Sequence, residues 1–346
     1  MQILRLFLSR VASGLLILIS VVVLIASIIY LAPVDPTRLS FGQRSDSATI
    51  AQKKQELGLD KPLYAQLVDY LADLSPVVFT QNLDKYDGFV VADIRLSSYH
   101  FLLKKSNLRV SYQTGNKVST MVRQALPKTI ILALASFIFA AIFGILFGVI
   151  SAAKKDTWID KSLLAVATLG ISVPSYVAAI VMAIIFHNIT GLNIQGSIFE
   201  INDYGDDYVA WKNLILPAIA LGIRPVSIIM QLTRSAVLEV MGQDYIRTAK
   251  AKGLSFIKIM WRHIMPNAMN PIVTSLTGWL ASLLAGAYFV EKVFNFKGIG
   301  ELTINGLINY DLPVILATVI FICSVFIVIN IITDMLYILI DPRQRT

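Results

Sequence analysis

A single cysteine, Cys323, stands among the 346 residues, so no disulfide framework staples this chain. It lies inside an apolar run, where a small packed hydrophobe is the plain reading. Histidine is almost as scarce, and His100, His187 and His263 lie too far apart in sequence for their spacing to suggest a metal site. The motifs H-E-x-x-H and G-x-S-x-G are both missing, which removes the sequence case for an intramembrane hydrolase. No G-x-x-x-x-G-K-[ST] occurs either, so the chain has no phosphate loop of that type and any ATPase working with it must be a separate subunit. Charge is thin as well: 15% of residues are Asp, Glu, Lys or Arg, against about 25% in soluble domains.

What fills the chain instead is apolar sequence, 56% of it, with a mean hydropathy of +0.68. The surplus comes in blocks, which marks a polytopic membrane protein. Six stretches are long enough to cross a bilayer, each needing about 20 mostly apolar residues: 11–31, 129–153, 162–187, 214–233, 271–290 and 313–340. The first follows Arg5 and Arg10 as a signal peptide would. It is longer than a usual signal core and no A-x-A-like cleavage site follows, so a retained helix is expected.

Loop charges orient the spans. Arg234, Arg247, Lys250, Lys252, Lys258 and Arg262 lie between spans four and five against Glu239 and Asp244 alone. Lys154, Lys155 and Lys161 lie between spans two and three, and Arg343 and Arg345 follow span six. The loop after span three holds Glu200, Asp203, Asp206 and Asp207 against Lys212. Both termini and the basic segment are therefore expected in the cytoplasm, which also accounts for a net charge of +8 without nucleic acid as a partner. The loop between spans one and two is the one extramembrane stretch of domain size. Within it, 50–57 and 63–74 are expected as amphipathic helices, and 84–100 is strand-like.

The basic segment 234–266 between two apolar spans is the most informative part of the chain. Residues 244–254 fit a short helix, with Ala249 and Ala251 leaving room for close approach of another surface and Gly253 ending the helix in a left-handed turn. A second helix over 255–265 is expected, with Ser255 as N-cap. Ile257, Met260, Trp261 and Ile264 fall on one apolar stripe, and Pro266 breaks the helix. By itself this is also what an ordinary solvated loop obeying the positive-inside rule looks like.

The segment resembles the cytoplasmic "EAA" loop of bacterial ABC-importer permeases. Arg247-Thr248-Ala249 stand where Glu-Ala-Ala would, Gly253 and Pro266 keep the expected spacing, His263 takes the Ile position and Met265 the Leu position. The form Tyr-Ile-Arg-Thr-Ala-Lys-Ala-Lys-Gly is similar to that of the dipeptide/oligopeptide/nickel branch. Asp35-Pro36, Glu56-Leu-Gly-Leu-Asp-Lys-Pro-Leu63, Leu108-Arg-Val-Ser-Tyr-Gln-Thr-Gly115, Asn295-Phe-Lys-Gly-Ile-Gly300 and Asp341-Pro342-Arg343 fit the same branch in order and spacing. Residues 75–104 depart from it as an insertion.

The resemblance implies an all-α polytopic protein with the type I ABC importer permease fold. It would have six transmembrane helices and a large extracytoplasmic loop between the first two, in a bacterial plasma membrane. The divisions expected are 1–31, the loop domain 32–116 and the core permease 117–346. The implied partners are a homologous second permease, two cytoplasmic ATPases, an extracytoplasmic substrate-binding protein and membrane lipid, with no cofactor or metal of its own. Arg247, Thr248, Ala249, Lys250, Ala251, Lys252, Gly253, Leu254 and Pro266 would couple to the ATPase. Arg224, a mid-membrane charge beside Pro225, would line the translocation path, and its alternative partners are Asp334 or the second permease. Pro174 in Ser172-Val-Pro-Ser175 would mark a gating kink. Gln231, Asn330 and Asp334 would hydrogen-bond between helices or sit at the membrane interface. The substrate expected is a dipeptide or oligopeptide, with nickel or another small solute as the alternative; a secondary transporter or channel is the rival outside the family.

Overall fold

The computed structural model describes residues 2–31 and, between 52 and 340, all but 53, 56–57, 82, 87, 97–98, 192–194 and 202–204. In chain order its elements are α1 (Gln2–Leu31), α2 (Leu63–Leu74), β1 (Val77–Thr80), a short 3-10 turn (Asp84–Tyr86), β2 (Val90–Leu96) and β3 (Tyr99–Lys104). Next come α3 (Val118–Ala153), α4 (Trp158–Ser172), α5 (Ser175–Thr190), β4 (Phe199–Ile201), β5 (Asp207–Val209) and α6 (Lys212–Met241). The chain continues through α7 (Asp244–Ala251), α8 (Phe256–Ile259), a π turn (Met260–Ile264), α9 (Met265–Gly286), α10 (Tyr288–Phe294), α11 (Ile299–Ile308) and α12 (Leu312–Ile340).

Among the described residues, four helices are long and apolar enough to cross a membrane: Leu8–Ile28, Val118–Ala153, Lys212–Met241 and Leu312–Thr333. A fifth is added if α4 and α5, bent by 108° at their junction, count as one span. The sequence predicts one span there, kinked at Pro174. Val173 is extended (φ −85°, ψ 122°), as a residue before proline prefers, and Pro174 starts the next helix. By contrast, Pro217 and Pro225 do not interrupt α6, which runs through both with the two rings buried. Helix α9, where the fifth span was expected, does not join the set. Asn267, Asn270, Thr274, Ser275 and Thr277 dilute its apolar character.

The chain is mostly helical, but not all-α as expected: it carries two small antiparallel sheets, β1-β3-β2 and β4-β5. The first occupies the inserted stretch. Phe79 pairs with Phe101 and Ile94 with Phe101 across the strands, and alternation buries Val78 and Leu102 on the other face. The helix expected at 63–74 is there, whereas that at 50–57 lies largely outside the described residues.

The chain divides into two compact units. One comprises Ala12–Ala125 and Leu302–Phe321. Its core joins Val22 and Ala26 of α1 with Tyr70 of α2 and Leu312 and Leu316 of α12. Asp311 holds the turn of the 108–115 motif: its carboxylate accepts the Ser111 hydroxyl and the Tyr112 N–H (3.1 Å). Asp73 accepts Arg109 through Nε (2.8 Å) and Nη2 (2.7 Å), and Asp69 accepts Lys61 (2.7 Å) and Lys85 (2.9 Å).

The bonds from Lys61 and Lys85 hold the Asp69 carboxyl down at about 2. A carboxylate depressed in the folded state contributes stability above its unfolded value and loses it as pH falls toward the folded one. Protease nicking of residues 60–110 should therefore increase between about pH 4 and 2. Asp69→Asn should show that susceptibility already at neutral pH, with a shallower change on acidification.

The other unit comprises Met1–Val11, Leu126–Glu301 and Ile322–Thr346. One cluster gathers Leu132 of α3, Ala179 of α5, Leu216 and Leu221 of α6, and Val290 and Phe294 of α10. A second gathers Ala152, Val237, Ile246, Ala249, Ile259, Met260, Ile264 and Ile272. Helix α6 runs through both and is the most buried candidate span, with 67% of its apolar window covered.

Candidate coupling surface and transport path

Helix α7 begins after Gln243 and ends in a Schellman turn. Gly253 has φ +77°, its N–H bonds the Lys250 carbonyl (2.9 Å), and the Leu254 N–H reaches the Ala249 carbonyl (3.4 Å). A Cβ at Gly253 would meet nothing within 4 Å. The glycine is needed for its backbone conformation, and it leaves open space in this chain.

One face of α7 is locked to the bundle. Ile246 and Ala249 are buried in the second cluster, so Ala249 faces inward, away from any external partner. The outward face carries Arg247, Thr248, Lys250, Ala251, Lys252 and Gly253, with Leu254 half-buried. Arg247 lies 3.4 Å from Asp244 in a fully solvated pair, worth little in stability.

The expected apolar stripe of the next segment is not the buried one. Ile259, Met260, Ile264 and Met265 are buried, whereas Ile257 and Trp261 are 70% and 65% exposed. The cause is the π turn, in which the Met265 N–H bonds the Met260 carbonyl. Five-residue spacing replaces four and rotates the face, so residues 259 and 264, like 260 and 265, stack. Pro266 does not break the helix; it sits in the first turn of α9, where its missing N–H is tolerated. The Asn267 Nδ2 donates to the His263 carbonyl (2.7 Å). Ser255 stands at the N-cap position but its side chain makes no capping bond.

Arg224 is exposed on α6 in this chain, on the same helical face as half-buried Gln231 and exposed Ser235 and Glu239. That polar stripe runs along the helix whose other faces are the most covered. Pro174 is exposed at the start of α5. Asn330 donates to the Phe326 carbonyl of its own helix (2.8 Å). The Asp334 side chain lies outside the described ones.

Two constellations escaped the sequence reading. Arg234, expected as a loop charge, and Asp160 form a bidentate pair with the carboxylate buried and the guanidinium half-buried, Nε and Nη2 each 2.8 Å from a carboxylate oxygen. Glu291, fully buried, accepts the Thr129 hydroxyl (2.7 Å) and the N–H groups of Gly300 and Glu301 (3.1 Å from the latter). The signal was present for the second. A Cβ at Gly298 would stand 2.4 Å from the Glu291 carboxylate and one at Gly300 2.5 Å from the Tyr288 Cα, so the 295–300 motif is a cradle that only glycines allow.

A bundle of apolar helices with an exposed basic segment fixed along one face fits a membrane permease. The comparisons agree. Residues 144–346 match the family described as binding-protein-dependent transport system inner membrane component, and residues 3–133 match its N-terminal counterpart. The chain is 33% identical over 342 residues to a Brucella abortus (strain 2308) protein whose name places it as permease of a peptide transport system, covering 98% of each. It is 32% identical to the di/tripeptide transport system permease DppB of Pseudomonas aeruginosa (strain UCBPP-PA14), covering 96% of each. It is also 32% identical to the glutathione transport system permease GsiC of Salmonella typhimurium (strain LT2), covering 95% of this chain and 94% of that one. In fold it is similar to the inward-facing MetNI methionine ABC transporter, with TM-score 0.52, 18% identity, and 64% of this chain and 97% of the other covered. The protein is a multi-pass inner-membrane permease subunit of an ABC importer. It belongs to the binding-protein-dependent transport system inner membrane component family.

Proposed function

We propose that the chain is one half of a peptide-importing channel with six spans, α9 supplying the remaining one, and with both termini in the cytoplasm. The loop domain 32–116 lies outside the cell membrane, and the core is 117–346. ATP hydrolysis belongs to a pair of separate subunits, one of which seats on Arg247, Thr248, Lys250, Ala251, Lys252 and Gly253, with Ile257 and Trp261 as apolar contacts beside them. Ala249 and Leu254 back that surface, and Pro266 starts the helix that leads away from it. A homologous second permease completes the path, and an external binding protein delivers the substrate. The observation that carries this reading is the two-sided α7: one face fixed in the core, the other exposed and charged, with Ile257 and Trp261 exposed in the segment that follows.

Peptides are favoured as substrate because the relatives named above belong to peptide and glutathione systems. Arg224 supports the same choice. A guanidinium within a span demands a wet path or a partner, and its exposed stripe on α6 supplies a wall suited to a substrate carboxylate. Pro174 marks the bend at which that wall gates.

The test is Gly253→Val beside Gly253→Asn in the assembled importer. Asparagine tolerates φ > 0 far better than a β-branched residue. If the ATPase fits closely against position 253, both variants should lose the copurifying ATPase and most peptide uptake. Retention of uptake by Gly253→Asn would assign the glycine to chain turning alone. Wild-type uptake in both would remove α7 as the coupling element.

A further inference from the structure

We propose that Asp160 and Arg234 form a clasp that carries movement of the coupling segment into α4, making Arg234 a positioning residue for gating. The proposal rests on the coupling role assigned to α7. Asp160, in the first turn of α4, is nearly inaccessible, and its carboxylate is saturated. It accepts Nε and Nη2 of Arg234 (2.8 Å each), the Ser151 hydroxyl (2.5 Å) from the end of α3, and the Asp156 N–H (2.9 Å) from the intervening turn. Arg234 lies on α6, within one turn of Ala236 and Val237, which share one buried cluster with Ile246 and Ala249 of α7. The path from the partner-facing surface to α4 is therefore short: α7, the buried cluster it shares with the end of α6, then the ion pair.

Two features argue for transmission rather than mere anchorage. Apolar contacts slide at little cost, whereas a two-pronged guanidinium–carboxylate pair fixes both translation and rotation. Burying such a pair is not an efficient route to stability, so a register-setting role accounts for it better. The opposite end of α4 is seated sterically. A Cβ at Gly170 would stand 2.2 Å from the Ser227 Oγ of α6. Helix α4 is thus held to α6 near both ends, and immediately beyond it the chain turns by 108° at Val173-Pro174. Any shift of the α6 end is imposed on the bend.

The experiment uses the complete importer in vesicles, with ATP hydrolysed and peptide imported measured together. Arg234→Lys keeps the charge and loses the fork. Import should fall by about tenfold, within the usual span of coupling effects, while ATP hydrolysis and recovery of the complex stay near wild type. Ser151→Ala, which removes one bond to Asp160, should move the same ratio in the same direction to a smaller extent; it decides the matter if Arg234→Lys does not assemble. Parallel loss of hydrolysis and import, or no change in either, would overturn the clasp. Gly253→Val run alongside separates the two readings. If it changes nothing, the coupling assignment itself fails; if it uncouples while the clasp variants do not, only the clasp fails.

Discussion

Glu291→Ala is expected to cost most of the stability of the Leu126–Glu301 segment. The wild-type carboxylate is fully buried and satisfies the Thr129 hydroxyl and the N–H groups of Gly300 and Glu301. Thr129 in turn accepts the Ile299 N–H at 2.8 Å. Truncation leaves three buried donors without an acceptor, each costing roughly 1–3 kcal/mol, and adds a cavity. The sum rivals the 5–15 kcal/mol that typically separates folded from unfolded domains. The variant should give little folded protein in detergent, and what is recovered should melt far below wild type. Gly298→Ala should act in the same direction, because its methyl would press on the carboxylate. Lys292→Ala is the contrast: its Nζ is 3.9 Å from Glu301 and its side chain is 42% exposed, so its effect should stay within about 0.5 kcal/mol. A Glu291→Ala protein melting like Lys292→Ala would show that the cradle does not hold α10 and α11 together.

The contrast between Glu291 and α7 shows where sequence reasoning reaches. Helix α2, the break before Pro174 and the left-handed Gly253 follow from local rules about caps, prolines and φ, so their signals lie within a few residues. The 295–300 motif was visible as spacing, but its reason was a carboxylate that packing alone brings under it. The Ile257–Ile264 stripe was misjudged because the reading assumed 3.6 residues per turn, and the π turn changes the phase in mid-segment. Asp160 and Arg234, 74 positions apart, carry no local mark of their pairing. Loop-charge counting orients a membrane protein well, but it treats every charge as solvated. The strands of 77–104 announced themselves in part through Phe89, Val90, Val91 and Ile94. The larger sheet falls in the residues that the family resemblance did not cover, whereas β4 and β5, three residues each, are too short to show a period-2 pattern.

Gly148→Leu should prevent the bundle from forming. Without a hydrophobic drive between helices in lipid, association depends on close packing, and small residues four apart let backbones approach. Gly144 and Gly148 of α3 occupy such positions. A Cβ at 144 would lie 2.7 Å from Ile229 Cγ2 and 3.1 Å from the Val226 carbonyl oxygen. At 148 it would lie 2.5 Å from Thr233 Cβ and 2.7 Å from the Met230 carbonyl oxygen. Those obstacles are backbone and a β-branched side chain on α6, and neither swings aside. The fit is mutual, since a Cβ at Gly222 of α6 would meet Phe139 of α3 at 2.7 Å. A single added methyl, Gly148→Ala, should cost about 1–3 kcal/mol by overpacking; leucine forces the helices apart and gives aggregated protein on size exclusion. Gly278→Ala separates this cause from a general intolerance of larger residues in apolar helices. Its Cβ meets nothing within 4 Å, and a helical Gly→Ala change is favourable by about 0.5–1 kcal/mol, so it should melt at or above wild type. A monodisperse Gly148→Leu protein with a wild-type melting temperature would mean that α3 and α6 are not in backbone contact. The path proposed at Arg224 of α6 would then lose the wall it requires.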